Sequence, residues 1–287
     1  MEHRTVRWMT AAGLISALSI ATATPSVAAE ETDTSKNWQA GVTAYHSSGK
    51  YGTNATTSVT ALMGSARALF EDGDVTLLVP YLSVTGDCAV TLLSGVPNRT
   101  GGTCPTRTVV NANGKTVTRT KNRQTTESGL GDVVLRGRYY VLDERSFWPT
   151  VAVVGQVKMP TADSDRGLGT GKFDERAGVE TSKRLTHDLV TYLDGGYTVI
   201  GKPSGVSLRN QWYADAGLGY YWTEKLLASV YYEWWRSLTA GSQDPQDVLF
   251  ALNYTTAAAI RLSASVGLGL SDGAPKTAVT GGLSVRF

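Results

Sequence analysis

Apolar and polar residues alternate with a period of two along most of this chain. In the stretch from Asp132 to Val141, one face carries Val133, Leu135, Gly137, Tyr139 and Val141, and the other carries Asp132, Val134, Arg136, Arg138 and Tyr140. From Thr150 to Met159, Val151, Val153, Val157 and Met159 share a face, opposite Gln156 and Lys158. From Arg176 to Leu185, Ala177 and Val179 alternate with Arg176, Glu180 and Arg184. A period of two is the signature of a β-strand with one apolar and one polar side. In a soluble sandwich the apolar side would be the core. The rest of the chain argues for the reverse arrangement, with lipid outside and a polar lumen inside.

The same pattern predicts twelve strands: Asn37–His46, Thr56–Leu69, Asp74–Val84, Leu130–Leu142, Thr150–Met159, Glu175–Leu185, Leu189–Ile200, Gln211–Trp222, Leu226–Ser237, Asp247–Tyr254, Ala258–Leu268 and Lys276–Phe287. Their connections alternate between short and long, as in barrels with short periplasmic turns and longer outer loops. An even count and this alternation predict a single transmembrane antiparallel up-and-down β-barrel. The second strand carries apolar residues on both faces, and Pro80 interrupts the third. In the eighth strand, Trp212, Ala214, Ala216, Leu218, Tyr220 and Trp222 share a face. Ten residues at ~3.3 Å, tilted by ~40°, cross about 25 Å, the height of the apolar band of such a barrel.

The ends of the chain sharpen the reading. Arg4 and Arg7, the apolar run Met9 to Ala23 and the small residues Val27-Ala28-Ala29 form a secretory signal over residues 1–29, which leaves residues 30–287 for the barrel. No stretch approaches the ~20 apolar residues of a membrane helix. From Thr277 to Phe287, Val279, Leu283, Val285 and Phe287 alternate with Thr280, Ser284 and Arg286. Such a strand with a terminal Phe resembles the ending that bacterial outer-membrane barrels present to their assembly machinery, so Phe287 is the expected assembly signal. Removing the signal's two arginines and one glutamate lowers the formal charge from +2 to +1. That excludes nucleic acid as a bulk partner. The expected partners are outer-membrane lipid and lipopolysaccharide, the assembly machinery and a small-molecule solute.

The longest loop, Thr85 to Gly129, holds both cysteines. In an oxidising compartment Cys88 and Cys104 are expected to form a disulfide, closing a loop of about 15 residues at a gain of roughly 3 kcal/mol. Val109 to Val117 has the pattern of a hairpin turning at Asn113-Gly114. The loop is basic, with Arg99, Arg107, Lys115, Arg119, Lys121 and Arg123 against Asp87 and Glu127. It is either an anion funnel folded toward the pore or a solvated surface facing lipid phosphates.

Three motifs carry a resemblance. Gly129-Leu-Gly-Asp132 precedes a strand, Lys158-Met-Pro-Thr-Ala-Asp163 closes the next, and Gly167-Leu-Gly-Thr-Gly-Lys-Phe-Asp174 opens the one after. This order and spacing resembles the outer-membrane barrel family labelled "putative MetA pathway of phenol degradation". The resemblance implies a transporter-like channel near pathways that degrade aromatic compounds, and it brings no binding residues with it. Gly167, Gly169 and Gly171 permit positive φ and close backbone approach. A phosphate cradle would need a following helix, and a strand follows instead.

Enzymatic chemistry has little to build on. Only His46 and His187 remain after the signal, and neither spacing suits a Ser–His dyad. No cofactor and no metal site is expected. Parity points Arg136, Arg138, Gln156, Lys158, Arg176, Glu180, Asp194, Asp215, Glu233, Asn253 and Arg261 inward as candidate pore-lining residues. Basic residues dominate strands four to six and acidic residues strands seven to nine. This arrangement sets either a transverse field across a narrow pore or a set of ion pairs filling the barrel. The function expected is passive passage of small molecules across the outer membrane. The alternatives are a closed barrel with a structural or surface role, and a lipid hydrolase.

Overall fold

The computed structural model describes residues 37–51, 56–87, 90–93, 96–99, 106–110, 116–120, 124–256 and 259–287. The signal segment, Cys88, Cys104, and the Asn113-Gly114 turn lie outside the described residues. Twelve antiparallel strands close into a barrel. They are β1 (Trp38–Gly49), β2 (Thr57–Phe70), β3 (Gly73–Asp87), β9 (Val133–Leu142), β10 (Thr150–Met159), β11 (Asp174–Arg184), β12 (Leu189–Ile200), β13 (Gln211–Thr223), β14 (Leu226–Trp235), β15 (Gln246–Thr255), β16 (Ile260–Gly269) and β17 (Thr277–Arg286). The first and last strands meet from Gln39↔Arg286 to Ser48↔Thr277, so neither is left with an open edge. Phe287 extends this seam: its N–H donates to the Trp38 carbonyl and its carbonyl accepts from the Trp38 N–H, at 2.8 and 3.1 Å.

The outside is apolar. Val42, Leu62, Leu135, Val153, Leu218, Phe250, Leu262 and Leu283 all project outward. Aromatic residues band both rims, with Trp38, Phe70, Trp148, Trp222 and Tyr254 at the short-turn end and Tyr81, Phe173, Trp212 and Tyr232 at the loop end. These are the interface belts of a membrane-spanning barrel.

Further strands occupy the region between β3 and β9. β4 (Val90–Leu93) pairs with β5 (Val96–Arg99), a hairpin the sequence pattern did not predict. β6 (Thr106–Val110) pairs with β7 (Thr116–Thr120), so a hairpin spans the expected segment, with Val109 opposite Val117 where a two-residue turn at Asn113-Gly114 would set Val110 there. β8 (Gln124–Leu130) continues the wall by pairing with the outer half of β3. The fourth expected strand is therefore broken at Gly131-Asp132. Leu78 faces Val134 and Tyr81 faces Leu130, so two residues of β3 oppose three of the other strand, as in a bulge. Pro80 sits in this gap, where its missing N–H costs no ladder bond, and its carbonyl accepts from the Gly131 N–H at 2.9 Å. Asp132 points inward on the same face as Val134 and Arg136 and is buried, whereas Leu130, across the bulge, is turned outward.

Candidate functional site

Strand register, more than parity, organises the interior. Two rows of inward side chains run from strand to strand. One reads Arg67↔Thr76↔Arg136↔Gln156↔Arg176↔Thr198↔Gln211 across β2, β3 and β9 to β13. The other is acidic and reads Glu180↔Asp194↔Asp215↔Glu233↔Asp247 across β11 to β15. Directly opposed residues stand about 5 Å apart, so five carboxylates follow one another along roughly 20 Å of the wall. All five are buried, and neither oxygen of Asp215 has a hydrogen-bond partner among the described residues.

Part of the acidic row is neutralised from the neighbouring wall. The Arg136 guanidinium donates to Glu180 Oε1, and Arg138 Nε lies 2.9 Å from Glu180 Oε2. Arg138 also approaches Asp74 Oδ2 at 3.7 Å, and Arg67 Nη2 donates to the same oxygen at 2.7 Å. The basic wall expected of strands four to six is therefore an arginine–carboxylate network. Arg67 and Asp74 belong to it although the sequence pattern singled out neither. Beside it, Gln39, Thr43, Ser65, Arg67, Thr76 and Ser284 line a cavity of about 30 Å³, room for about one water molecule.

A second cluster sits at the outer end and joins the three motifs. Lys158 Nζ lies 2.9 Å from Asp132 Oδ2 and 2.9 Å from Asp174 Oδ2, and it donates to Thr170 Oγ1 at 3.1 Å. Asp132 Oδ1 accepts from the Ala162 N–H at 3.0 Å, and Asp174 Oδ1 accepts from the Gly201 N–H at 2.8 Å. The outer loop 160–173 is thereby fastened to the rim. Gly167 and Gly171 adopt positive φ, whereas Gly169 serves close approach, since a Cβ there would lie 2.9 Å from Asp132 Oδ2. Leu168 packs at Gly129, and Arg166 pairs with Glu127 at 3.0 Å, so the loop also flanks β8, the last strand in the sheet order.

A third cluster is aromatic. Tyr213 and Trp235 stack inside the barrel with ring centroids 4.8 Å apart. The Arg176 guanidinium lies 5.1 Å from the first ring and 4.8 Å from the second. Tyr213 crosses Gly196 and Gly178, whose missing Cβ atoms leave room for its ring. Tyr51, beyond the end of β1, packs onto the pair, with its hydroxyl 2.9 Å from Ser47 Oγ. Burial pushes the Tyr51 phenol up to about 12, against the opposing hydrogen bond to Ser47, so the ring is neutral.

The candidate pore-lining residues thus fall into two groups. Arg136, Arg138, Gln156, Lys158, Arg176, Glu180, Asp194, Asp215 and Glu233 meet in these rows and clusters, with Gln156 between Arg136 and Arg176. Asn253 and Arg261 lie toward the short-turn end, away from them. Asp132, Asp174 and Asp247 could have been found by extending parity through the strand ends. Among the described residues, no group of three or more His, Cys, Asp or Glu is placed to hold a metal ion. At the outer rim Ser48, Lys50, Gln243, Asp272 and Lys276 line a cleft of about 560 Å³.

The sequence profile described as "Putative MetA-pathway of phenol degradation" matches residues 93–287. Among solved structures, an outer membrane channel from Pseudomonas putida F1 is 12% identical with a TM-score of 0.63, covering 88% of this chain and 96% of that one. Its likeness extends the barrel fold to known outer-membrane channels. The NanC porin matches at 12% identity and a TM-score of 0.47, over 86% of this chain and 98% of that one. The KdgM porin matches at 10% identity and a TM-score of 0.46, over 86% and 99%. No curated protein matches the sequence.

Proposed function

From the premise that this chain belongs to the family described as "Putative MetA-pathway of phenol degradation", we propose that it is an outer-membrane channel for passive passage of small molecules, aromatic or otherwise hydrophobic compounds among them. The observation that carries the reading is the inverted polarity of a closed barrel. An apolar belt faces outward, while rows of charged and aromatic side chains line the inside. Twelve strands lie between the eight whose interior is just filled and the sixteen that leave a wide aqueous channel, which suits a narrow path for small solutes. The arginine–carboxylate wall and the acidic row face a common interior, and such opposed charges orient polar solutes. Export by residues 1–29 and insertion through the Phe287 strand complete the proposal. Lipopolysaccharide phosphates are the proposed contact of the outer basic residues.

The burial of Arg136, Arg138 and Glu180 favours a second reading, a closed barrel with a structural or surface role. A lipid hydrolase finds less support. His46 points outward with its Nδ1 2.9 Å from Thr60 Oγ1, while Ser47 points inward to Tyr51. His187 is exposed in a turn beside Asp188. Conductance of the purified protein in a planar bilayer tests the channel. Discrete current steps are expected, and a bilayer that stays sealed at high protein load refutes passage.

A further inference from the structure

The two halves of the inner wall differ in what they leave open. On β9 to β14 the inward side chains are long, and Arg136, Lys158, Glu180, Asp215 and Glu233 are all buried. On β16 and β17 they are short: Ser263, Ser265 and Gly267, then Ala278, Thr280 and Gly282. No inward residue of β17 is buried. Val279 and Leu283 take the lipid side of that strand, so the space that exposes Thr280 and Gly282 lies inside the barrel. The outer cleft of about 560 Å³ touches Gly49, Gly269 and Thr277, and the inner cavity of about 30 Å³ touches Thr43, Ser263 and Gly282. Long side chains fill one half of the lumen, and short ones leave a groove along the other.

The acidic row ends on this groove. Asp247 is its last member, and β16 continues the row with Gly269, which has no side chain. The Asp247 carboxylate leans over β16, since a Cβ on Gly267 would lie 3.7 Å from its Oδ2. Its Oδ1 has no hydrogen-bond partner among the described residues, although the residue is only 4% exposed. At the far end of the row Arg136 and Arg138 neutralise Glu180. A buried carboxylate calls for a counter-charge or hydrogen bonds, and the groove is the open side from which a cation can approach.

We propose that the inward face of β16 and β17 forms a groove that takes small monovalent cations, and that Asp247 is the residue that selects them. This deepens the channel reading and rests on it only for passage from one mouth to the other. The Ser265 and Thr280 hydroxyls, on residues paired across the two strands, supply oxygens that replace part of a cation's hydration shell. Among the described residues no group of three or more metal ligands is placed to chelate, so a cation is held weakly enough to leave again. Ser265 is two residues from Gly267, about 7 Å, and four from Arg261, about 13 Å. The Debye length is about 10 Å at 0.1 M salt, so Asp247 outweighs Arg261 at Ser265. Lys50 and Lys276 stand exposed at the rim, where salt screens them most.

The experiment is cysteine labelling with two methanethiosulfonates of similar size, one carrying a trimethylammonium group and one a sulfonate. Ser265→Cys and Thr280→Cys keep the side chains short, so the barrel is expected to fold. Modification is followed by mass spectrometry on folded protein in detergent, with each rate divided by that reagent's rate with free 2-mercaptoethanol. The unsubstituted protein corrects for Cys88 and Cys104. Both variants should react at least about tenfold faster than Ser182→Cys, which is buried on the filled wall. At Ser265→Cys the cationic reagent should be favoured about fivefold, since a unit charge about 7 Å away in water speeds one reagent and slows the other by nearly threefold each. The ratio of the two reagents cancels the thiol's own ionisation. Adding Asp247→Asn should remove most of that preference, and Asp247→Ser serves where Asp247→Asn does not fold. Labelling no faster than at Ser182→Cys overturns the groove, and a preference unchanged by either Asp247 variant overturns its selecting role. In a conducting barrel, complete cationic modification of Ser265→Cys should lower the current, and an unchanged current overturns the groove as the open part of the lumen. Fast, cation-favoured labelling of a barrel that passes no current supports the groove and refutes the channel.

Discussion

Lys158→Met tests whether the outer loop is held by charge. In the folded protein the ammonium sits between two carboxylates at 2.9 Å each and is 4% exposed. Methionine keeps most of the volume and removes the cation. Asp132 and Asp174 would then face each other as buried carboxylates without a counter-charge. Breaking a buried pair in this way costs about 3–5 kcal/mol. At about 1.4 kcal/mol per tenfold, the opening equilibrium of loop 160–173 should rise by roughly two to nearly four powers of ten. Trypsin reads this opening after Arg166 and Lys172. Arg166 is exposed, so cleavage is limited by release of the surrounding backbone, and it tracks the open population when reclosing is fast. Combining Lys158→Met with Asp132→Asn and Asp174→Asn removes the stranded charges and should restore most of the protection. Cleavage of Lys158→Met within about twofold of the unsubstituted protein, with unchanged thermal unfolding, would refute the latch. A triple variant as labile as the single one would assign the loss to packing.

Three further outcomes follow from the rows and the seam. Asp215→Asn removes the middle carboxylate of the acidic row, so it should raise stability by about 1 kcal/mol through relief from two like neighbours, read as a higher unfolding midpoint, and lower cation selectivity in a salt-gradient reversal potential; a destabilised variant would contradict the repulsion. Deleting Phe287 removes two seam bonds to Trp38 and should lower the folded fraction seen by heat-modifiable gel mobility, whereas full folded yield in cells would count against its role. Mass spectrometry of envelope protein without reductant should find the Cys88 and Cys104 peptides linked, and two free thiols would dispose of the disulfide.

Once the even strand count, the loop alternation and the terminal strand had put lipid outside, alternation told which side chains face it. It did so because a strand has only two faces, and placing Leu135 or Val153 in a charged interior would bury Arg136 or Lys158 in hydrocarbon. The twelve barrel strands were legible for the same reason, to within a few residues at their ends. Parity also separated Trp212 from Tyr213 and Trp234 from Trp235, although the lipid-facing aromatics drew notice and the inward ones did not. What parity cannot supply is height. Residues on one face of different strands meet only through register, which turns, bulges and strand tilt set jointly around the closed barrel. Register made one row of Glu180, Asp194, Asp215, Glu233 and Asp247, and it set Glu180 against Arg136 and Arg138. Pairing of β9, β10 and β11 brought Asp132 and Asp174 to Lys158, and the chain beyond β1 brought Tyr51 to Trp235. The sequence by itself determined a lipid-facing barrel with a polar interior, because that follows from the chemistry of single positions. Only the tertiary structure decided which charges neutralise one another and which rings stack, because those depend on distances between strands far apart in the chain.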